Sequence, residues 1–159
     1  MNSNPTVRPK VGERLTVRRN NSAAQRFTFE ASIFVPGTLR QGKRDDGRIH
    51  GETLSLFDVQ NGLTQARLEE SLRAIYGLEV GKDFDRATIV YKYPAEKAPR
   101  FVVGKGYNNN YLQGEVRQGE QYGYWLELAQ TDKGVAYSGR VAVFLLDDLE
   151  SVLTKVKSY

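Results

Sequence analysis

The chain has 159 residues, no cysteine, one histidine and a net charge of +4. This length predicts a single domain that buries roughly two thirds of its unfolded surface, so neither a disulfide nor a metal is needed for stability. The absence of cysteine excludes disulfide frameworks, thiolate nucleophiles and zinc fingers, and a single histidine disfavours a zinc enzyme.

The positive charge is concentrated at the N-terminus. Residues 1–26 contain six basic residues and one glutamate, whereas the rest of the chain contains 17 basic and 18 acidic residues. This pattern predicts a basic arm, residues 1–25, attached to a β-rich domain, residues 26–159. Such an arm suits contact with a polyanion or an acidic neighbour, although a solvated tail has the same composition. The arm residues predicted to contact nucleic acid are Arg8, Lys10, Arg14, Arg18 and Arg19.

Nothing in the sequence predicts a membrane association. The first ten residues lack the apolar core of a secretory signal. The longest apolar run, 141–146, is far shorter than the ~18 residues that a membrane span needs. We therefore expect a soluble, cytoplasmic protein.

Most of the chain has the alternating pattern of β-strands. In 26–35, for example, Phe27, Phe29 and Ala31 fall on one face. Gly139 in a later segment is typical of a bulge. Strands are predicted at 14–19, 26–35, 48–59, 86–93, 100–105, 111–118, 122–130 and 135–146.

Two segments have helical patterns. Residues 64–76 begin at a capping Thr64 and are followed by Gly77, a typical helix stop, with Leu68, Leu72, Ile75 and Tyr76 forming an apolar stripe. A second helix is predicted at 147–157. Consecutive strands joined by tight turns favour antiparallel pairing. The predicted class is α+β: an antiparallel sheet or partly open barrel with one packed helix and a C-terminal helix.

The segment from Tyr91 to Leu112 alternates aromatic and basic residues before three asparagines. A basic groove with aromatic platforms is typical of proteins that bind single-stranded nucleic acid. Two ordinary strands with a polar hairpin tip have the same composition, since tyrosines that alternate with lysine share their face with aliphatic residues. The residues predicted for the groove are Lys92, Arg100, Lys105, Tyr107 and Tyr111.

Tyr122 and Tyr124 alternate with Trp125 in one predicted strand, so large apolar groups fall on both faces of the sheet. Such a strand is either covered on both faces or docks a partner. The three residues are therefore predicted to form a protein interface, which suits an assembly subunit whose arm laces onto its neighbours.

An enzymatic alternative rests on Arg48, His50 and Glu52, which share one face of a predicted strand. They could supply the cation, acid and base of a metal-free ribonuclease. Polar residues at alternate positions are also the ordinary pattern of a half-buried strand. We predict a non-enzymatic protein without cofactor or metal that contacts nucleic acid or another polyanion, with an assembly subunit as the first alternative and the ribonuclease as the second. Its partners would be nucleic acid or an acidic protein surface, with self-association or a larger complex.

Overall fold

The computed structural model describes residues 15–22, 25–32, 49–93, 111–131 and 133–158. These ranges contain seven strands: β1 (Leu15–Ser22), β2 (Gln25–Ser32), β3 (Gly51–Asp58), β4 (Thr88–Tyr93), β5 (Tyr111–Gln118), β6 (Tyr122–Gln130) and β7 (Ala136–Leu145). They form one open sheet in the order β1-β2-β3-β7-β6-β5-β4, and every pairing is antiparallel. The predicted α+β class and antiparallel sheet are confirmed. The strand predicted at 100–105 lies outside the described residues.

The sheet consists of two meanders. The first contains β1, β2 and β3, and the second contains β4, β5, β6 and β7, with consecutive strands paired in each. They join where β3 pairs with β7, which places Gly51 opposite Phe144. The helix α1 (Gln65–Arg86) connects the first meander to the far edge of the second.

One face of the sheet packs against α1. Leu54, Leu126 and Val141 on the sheet are buried with Leu68 and Leu72 of the helix. The helix begins as predicted, because the Thr64 hydroxyl accepts a hydrogen bond from the Arg67 amide at 3.3 Å. This satisfies one of the amides that have no partner within a first helical turn.

The first helical segment stops at Gly77 as predicted, but α1 does not end there. Gly77 has the positive φ of 78° expected of a stop, but the chain turns there and continues as a second helical segment to Arg86. Phe84 on this second segment is buried in the same core, with its ring against Tyr124 at 5.2 Å between centroids. Phe84 and Val80 therefore contribute to the core, while Ile75 of the predicted stripe is 44% exposed.

On the opposite face, the C-terminal helix α2 (Leu149–Lys157) forms a second hydrophobic cluster whose described sheet residues come from β4, β5, β6 and β7. Val152 and Val156 of α2 are buried there with Trp125 and Phe144. The predicted helix at 147–157 is confirmed, with its first residues in a 3₁₀ turn, Leu146–Asp148. Neither α1 nor α2 combines the length and apolar composition that crossing a membrane requires.

Gly139 does not form the predicted bulge. It stays in register with Leu56 on one side and Leu128 on the other. A β-carbon here would lie 2.8 Å from Leu128 Cδ2 and 3.2 Å from Leu68 Cδ1. The glycine thus makes room for α1 to approach the sheet.

The turn between β5 and β6 is held by Asp83, a buried residue of the second helical segment. Its carboxylate accepts hydrogen bonds from the Glu120 and Gln121 amides at 2.8 and 3.1 Å. It also accepts bonds from the Tyr122 amide at 3.3 Å and the Tyr124 hydroxyl at 2.6 Å. Four donors are therefore satisfied by one side chain, which joins α1 to the turn.

Candidate functional site

The face of β2, β3 and β7 that points away from α1 carries mostly polar side chains, and of these three strands only β7 contributes described residues to the hydrophobic cluster around α2. Most are half-buried, and Arg26 and Ser138 are exposed. We call this surface the open half-face. Its residues are Arg26, Thr28 and Glu30 on β2, Thr53, Ser55 and Phe57 on β3, and Ser138 and Arg140 on β7.

The local cause of this surface is strict alternation. On β2, Phe27, Phe29 and Ala31 pack towards α1, so the intervening residues fall on the other face. An antiparallel sheet with one face packed and one face polar gives this pattern. In the sequence, the polar residues that alternate with the apolar ones in 26–35 already indicate the β2 part of the open half-face.

A row of polar positions crosses the open half-face. Thr28 pairs with Ser55, and Ser55 pairs with Arg140. The backbone of Arg18 on β1 pairs with Thr28 and extends the row to the edge of the sheet. Side chains at directly opposed positions lie about 4.5–5.5 Å apart at Cβ. The sheet thus places hydroxyl and guanidinium groups side by side.

Arg140 is held in place by two contacts. Its Nη2 lies 2.8 Å from Oε1 of the buried Glu127 carboxylate, and its guanidinium lies 4.2 Å from the centroid of the Trp125 ring. The Arg140 side chain is 35% exposed, and its buried Nε has no hydrogen-bond partner among the described residues. Stacking and pairing restrict the rotamers of this arginine, so it meets a ligand with little further loss of entropy.

Glu127 is positioned in turn by a buried chain of hydrogen bonds. The Trp125 indole donates to the Tyr93 hydroxyl at 2.7 Å, and that hydroxyl donates to Glu127 Oε2 at 2.5 Å. Burial and the neighbouring Glu127 carboxylate raise the pKa of Tyr93, which therefore remains a donor. Gly114 makes this geometry possible, because a β-carbon there would lie 2.5 Å from the Tyr93 hydroxyl.

The predicted basic residues that the structure describes lie at two separate places on the sheet. Arg18 and Arg19 lie on β1 and Lys92 lies on β4, at opposite edges of the sheet. Six strand spacings separate these edges, which is about 29 Å. Lys92 is exposed, and its backbone is paired with that of Glu115 in the sheet. Tyr111 begins β5, where its backbone pairs with Gln130. The other predicted contacts, Arg8, Lys10, Arg14, Arg100, Lys105 and Tyr107, lie outside the described residues.

The aromatic residues predicted as an interface lie against the protein's own helices. Tyr124 is 0% and Trp125 is 1% exposed, the first on the α1 side and the second on the α2 side. Tyr122 is half-buried against the α1 core. Tyr122 and Tyr124 thus pack on the α1 side and Trp125 on the α2 side. The sequence had left open whether this strand is covered on both faces or docks a partner.

His50 and Glu52 lie inside the protein. The His50 Nδ1 is 2.7 Å from Asp148 Oδ2, and both residues are buried, so the pair connects β3 to the turn before α2. Burial raises the pKa of the Glu52 carboxyl, and the nearby Tyr76 hydroxyl partly offsets this effect. Arg48 lies outside the described residues. This arrangement gives the His50 and Glu52 side chains little solvent access, which a ribonuclease site would need.

Replacing Glu52 with glutamine is expected to stabilise the protein at pH 8 by on the order of 1 kcal/mol. Because the folded-state pKa of Glu52 is raised, its stability contribution is present below the unfolded pKa of about 4.3 and is lost as pH rises through the folded value. The gain in Glu52→Gln should therefore nearly vanish at pH 4. Urea unfolding of both proteins at several pH values measures it, with Glu79→Gln, an exposed helical position, as the control. A pH-independent difference would contradict this account.

The charge of the described residues differs from that of the whole chain. They contain 13 basic and 14 acidic residues, so the remaining segments hold ten basic residues and five acidic ones. Leu15 pairs with Ala31, so residue 14 and residue 33 attach at the same end of the sheet. Segments 1–14 and 33–48 contain seven basic and three acidic residues, and both join the meander that carries most of the open half-face.

Comparison of the chain with protein-family models, with curated proteins and with solved structures gave no match. The fold and the surface therefore define this protein only as an antiparallel α+β domain in which, among the described residues, part of one sheet face is polar and lies beyond the hydrophobic cluster around α2.

Proposed function

We propose that this is a non-enzymatic protein that binds nucleic acid through the open half-face, with its basic N-terminal segment adding phosphate contacts. The observation that carries the proposal is the cross-strand row of Thr28, Ser55 and Arg140 on a sheet face that α2 leaves uncovered. Hydroxyl and guanidinium groups are the side-chain donors that most often contact phosphate and sugar.

Electrostatics supports the same ligand. Arg26 and Arg140 lie on this surface, where Glu30 is acidic and Glu127 pairs with Arg140, and the backbone of Arg18 pairs with Thr28 at its edge. Segments 1–14 and 33–48, which precede β1 and follow β2 in the chain, are basic. Positive charge on a binding protein raises the local concentration of a polyanion and the rate at which it associates.

Replacing Arg26 with glutamine is expected to weaken binding of a nucleic acid about five- to tenfold and to reduce the slope of log K against log salt by about 1, the signature of one lost phosphate contact. Arg140→Gln should have a similar or larger effect, because Arg140 is already fixed by Glu127 and Trp125. Fluorescence anisotropy with a labelled oligonucleotide at about 50–200 mM salt measures both the affinity and its salt dependence.

A matched control is Arg73→Gln. Arg73 is also a partly exposed arginine with carboxylate partners, but it lies on α1, which covers the other face. Its replacement should leave the affinity and the salt slope unchanged. Since Arg140→Gln leaves Glu127 buried without its partner, the folded state of each variant is first checked by thermal unfolding. If Arg26→Gln and Arg73→Gln behave alike, the open half-face is not the binding surface.

An assembly subunit remains the second candidate, favoured by the edge of the sheet at β4. Ile89 and Val90 are 47% and 39% exposed there, and the pairing of β4 with β5 is irregular between Ile89 and Tyr91. An exposed apolar edge strand is a template for pairing with another chain. The native mass of the purified protein, measured with and without nuclease treatment, separates the two candidates. A nuclease-resistant oligomer favours assembly, whereas a monomer that loses mass on treatment favours nucleic-acid binding.

A further inference from the structure

Phe57 does not fit the pattern of the surface on which it lies. Thr53 and Ser55, which precede it on the same face of β3, are polar, and Phe57 belongs to neither of the two hydrophobic cores. It is half-buried. A phenylalanine has no polar group to hydrate, so its place on a polar face calls for a contact that covers the ring.

Within the described residues, the cross-strand neighbours of Phe57 are a serine and an arginine. Ser138 is paired with it on one side and Arg26 on the other. The Arg26 guanidinium lies 5.8 Å from the ring centroid, and Arg26 is exposed. A planar cation over a half-buried ring occupies the position that a stacked base would take, and a base can displace it because the arginine is exposed to solvent.

The position of Phe57 relative to Arg140 suits a nucleotide. Ser138, the partner of Phe57, lies two residues from Arg140 on β7, so Phe57 and Arg140 are diagonal neighbours. The Cα atoms of diagonal neighbours in a sheet lie about 7–8 Å apart. One nucleotide can span a comparable distance between its base and its phosphate. Ser55 and Ser138 occupy the other two corners between these groups and offer hydroxyls to the sugar.

Resting on the proposed function, we infer that the ligand is a single-stranded nucleic acid, with one base stacked on Phe57 and the adjacent phosphate bound by Arg140. In a duplex the base faces are stacked on each other, so only phosphates and groove edges reach a sheet surface. In a single strand the bases can turn outward onto aromatic side chains. A sheet face with a central aromatic and flanking cations suits the single strand.

The test compares four probes of equal length or charge: a single-stranded oligonucleotide, its duplex, an abasic strand with the same phosphates, and heparin. Phe57→Leu keeps an apolar side chain but removes the stacking face. We expect it to weaken binding of the single strand about 5- to 100-fold and to leave binding of the abasic strand and of heparin unchanged. The unsubstituted protein should also prefer the single strand to the duplex.

Phe57→Trp provides a second readout that does not depend on the stability of Phe57→Leu. The chain has one tryptophan, Trp125, which is buried. The new indole fluorescence should be quenched by the single strand and not by the abasic strand, because only the former brings a base onto the ring. Binding should be equal to or tighter than in the unsubstituted protein.

The outcomes separate the two proposals. If all four probes bind and neither Phe57 variant changes the order of affinities or the quenching, the stacking inference is overturned while polyanion binding stands. If none of the four probes binds, the proposed function fails and the inference fails with it. Equal binding of single strand and duplex, with Phe57→Leu affecting both alike, also overturns the inference.

Discussion

Replacing Asp83 with alanine is expected to lower the free energy of unfolding by about 2–4 kcal/mol. The variant leaves three backbone amides and the Tyr124 hydroxyl without the acceptor they share. The cost is smaller than four full hydrogen bonds, because Glu120 and Gln121 are exposed and their amides can turn to water. The Tyr124 hydroxyl is buried and has less access to water. Urea unfolding followed by far-UV circular dichroism measures the loss.

Asp85→Ala is the matched control for Asp83→Ala. Asp85 lies two residues away on the same helical segment, but it is exposed and pairs with Arg73. An exposed ion pair contributes at most about 1 kcal/mol, so the two alanine variants should differ clearly. Asp83→Asn keeps one acceptor oxygen and should fall between them. Equal losses of unfolding free energy in Asp83→Ala and Asp85→Ala would show that Asp83 does not anchor the β5–β6 turn.

The second large effect is expected for Gly114→Ala. The added β-carbon would lie 2.4 Å from the Leu126 carbonyl oxygen and 2.5 Å from the Tyr93 hydroxyl, and one of these contacts is with backbone that cannot move aside cheaply. Overpacking of this kind costs about 1–3 kcal/mol, and displacement of Tyr93 adds the loss of its bond to Glu127. We therefore expect a total loss of roughly 2–4 kcal/mol in chemical denaturation.

Gly134→Ala isolates the effect of close contact. Gly134 has a positive φ of 76°, but a β-carbon there meets nothing within 4 Å, so only backbone strain of about 1 kcal/mol is expected. Gly114→Ala should also weaken nucleic-acid binding if the variant folds, since Arg140 depends on Glu127, which depends on Tyr93. Stability equal to that of Gly134→Ala would indicate that the sheet relaxes around the added methyl group.

Local sequence signals were sufficient where the turn chemistry was clear. Strands β5 and β6 were predicted with their observed bounds, because a Gly-containing turn at 119–121 separates two well-alternating segments. The end of α1 was not predictable in this way. Gly77 does adopt the conformation of a helix stop, but the burial of Phe84 against Tyr124 makes a second helical segment favourable. That contact is between residues 40 positions apart, which local patterns cannot indicate.

The candidate site was only partly predictable for a related reason. Alternation in 26–35 separates an apolar from a polar face, but it does not say which half of that polar face α2 will cover. Nor can it place β7 beside β3, which is what brings Arg140 next to Ser55. The basic residues that stood out in the sequence, Arg18 and Lys92, fall on opposite edges.

The junction of β3 with β7 bears on how the chain folds. Paired strands within each meander are joined by connections of 2 to 18 residues, whereas 92 residues separate Gly51 from Phe144, and closing the longer loop costs more entropy. The buried contact between His50 and Asp148 lies at the end of this junction and is available only once it has closed. We therefore expect β3 and β7 to pair late in folding, after the strands within each meander.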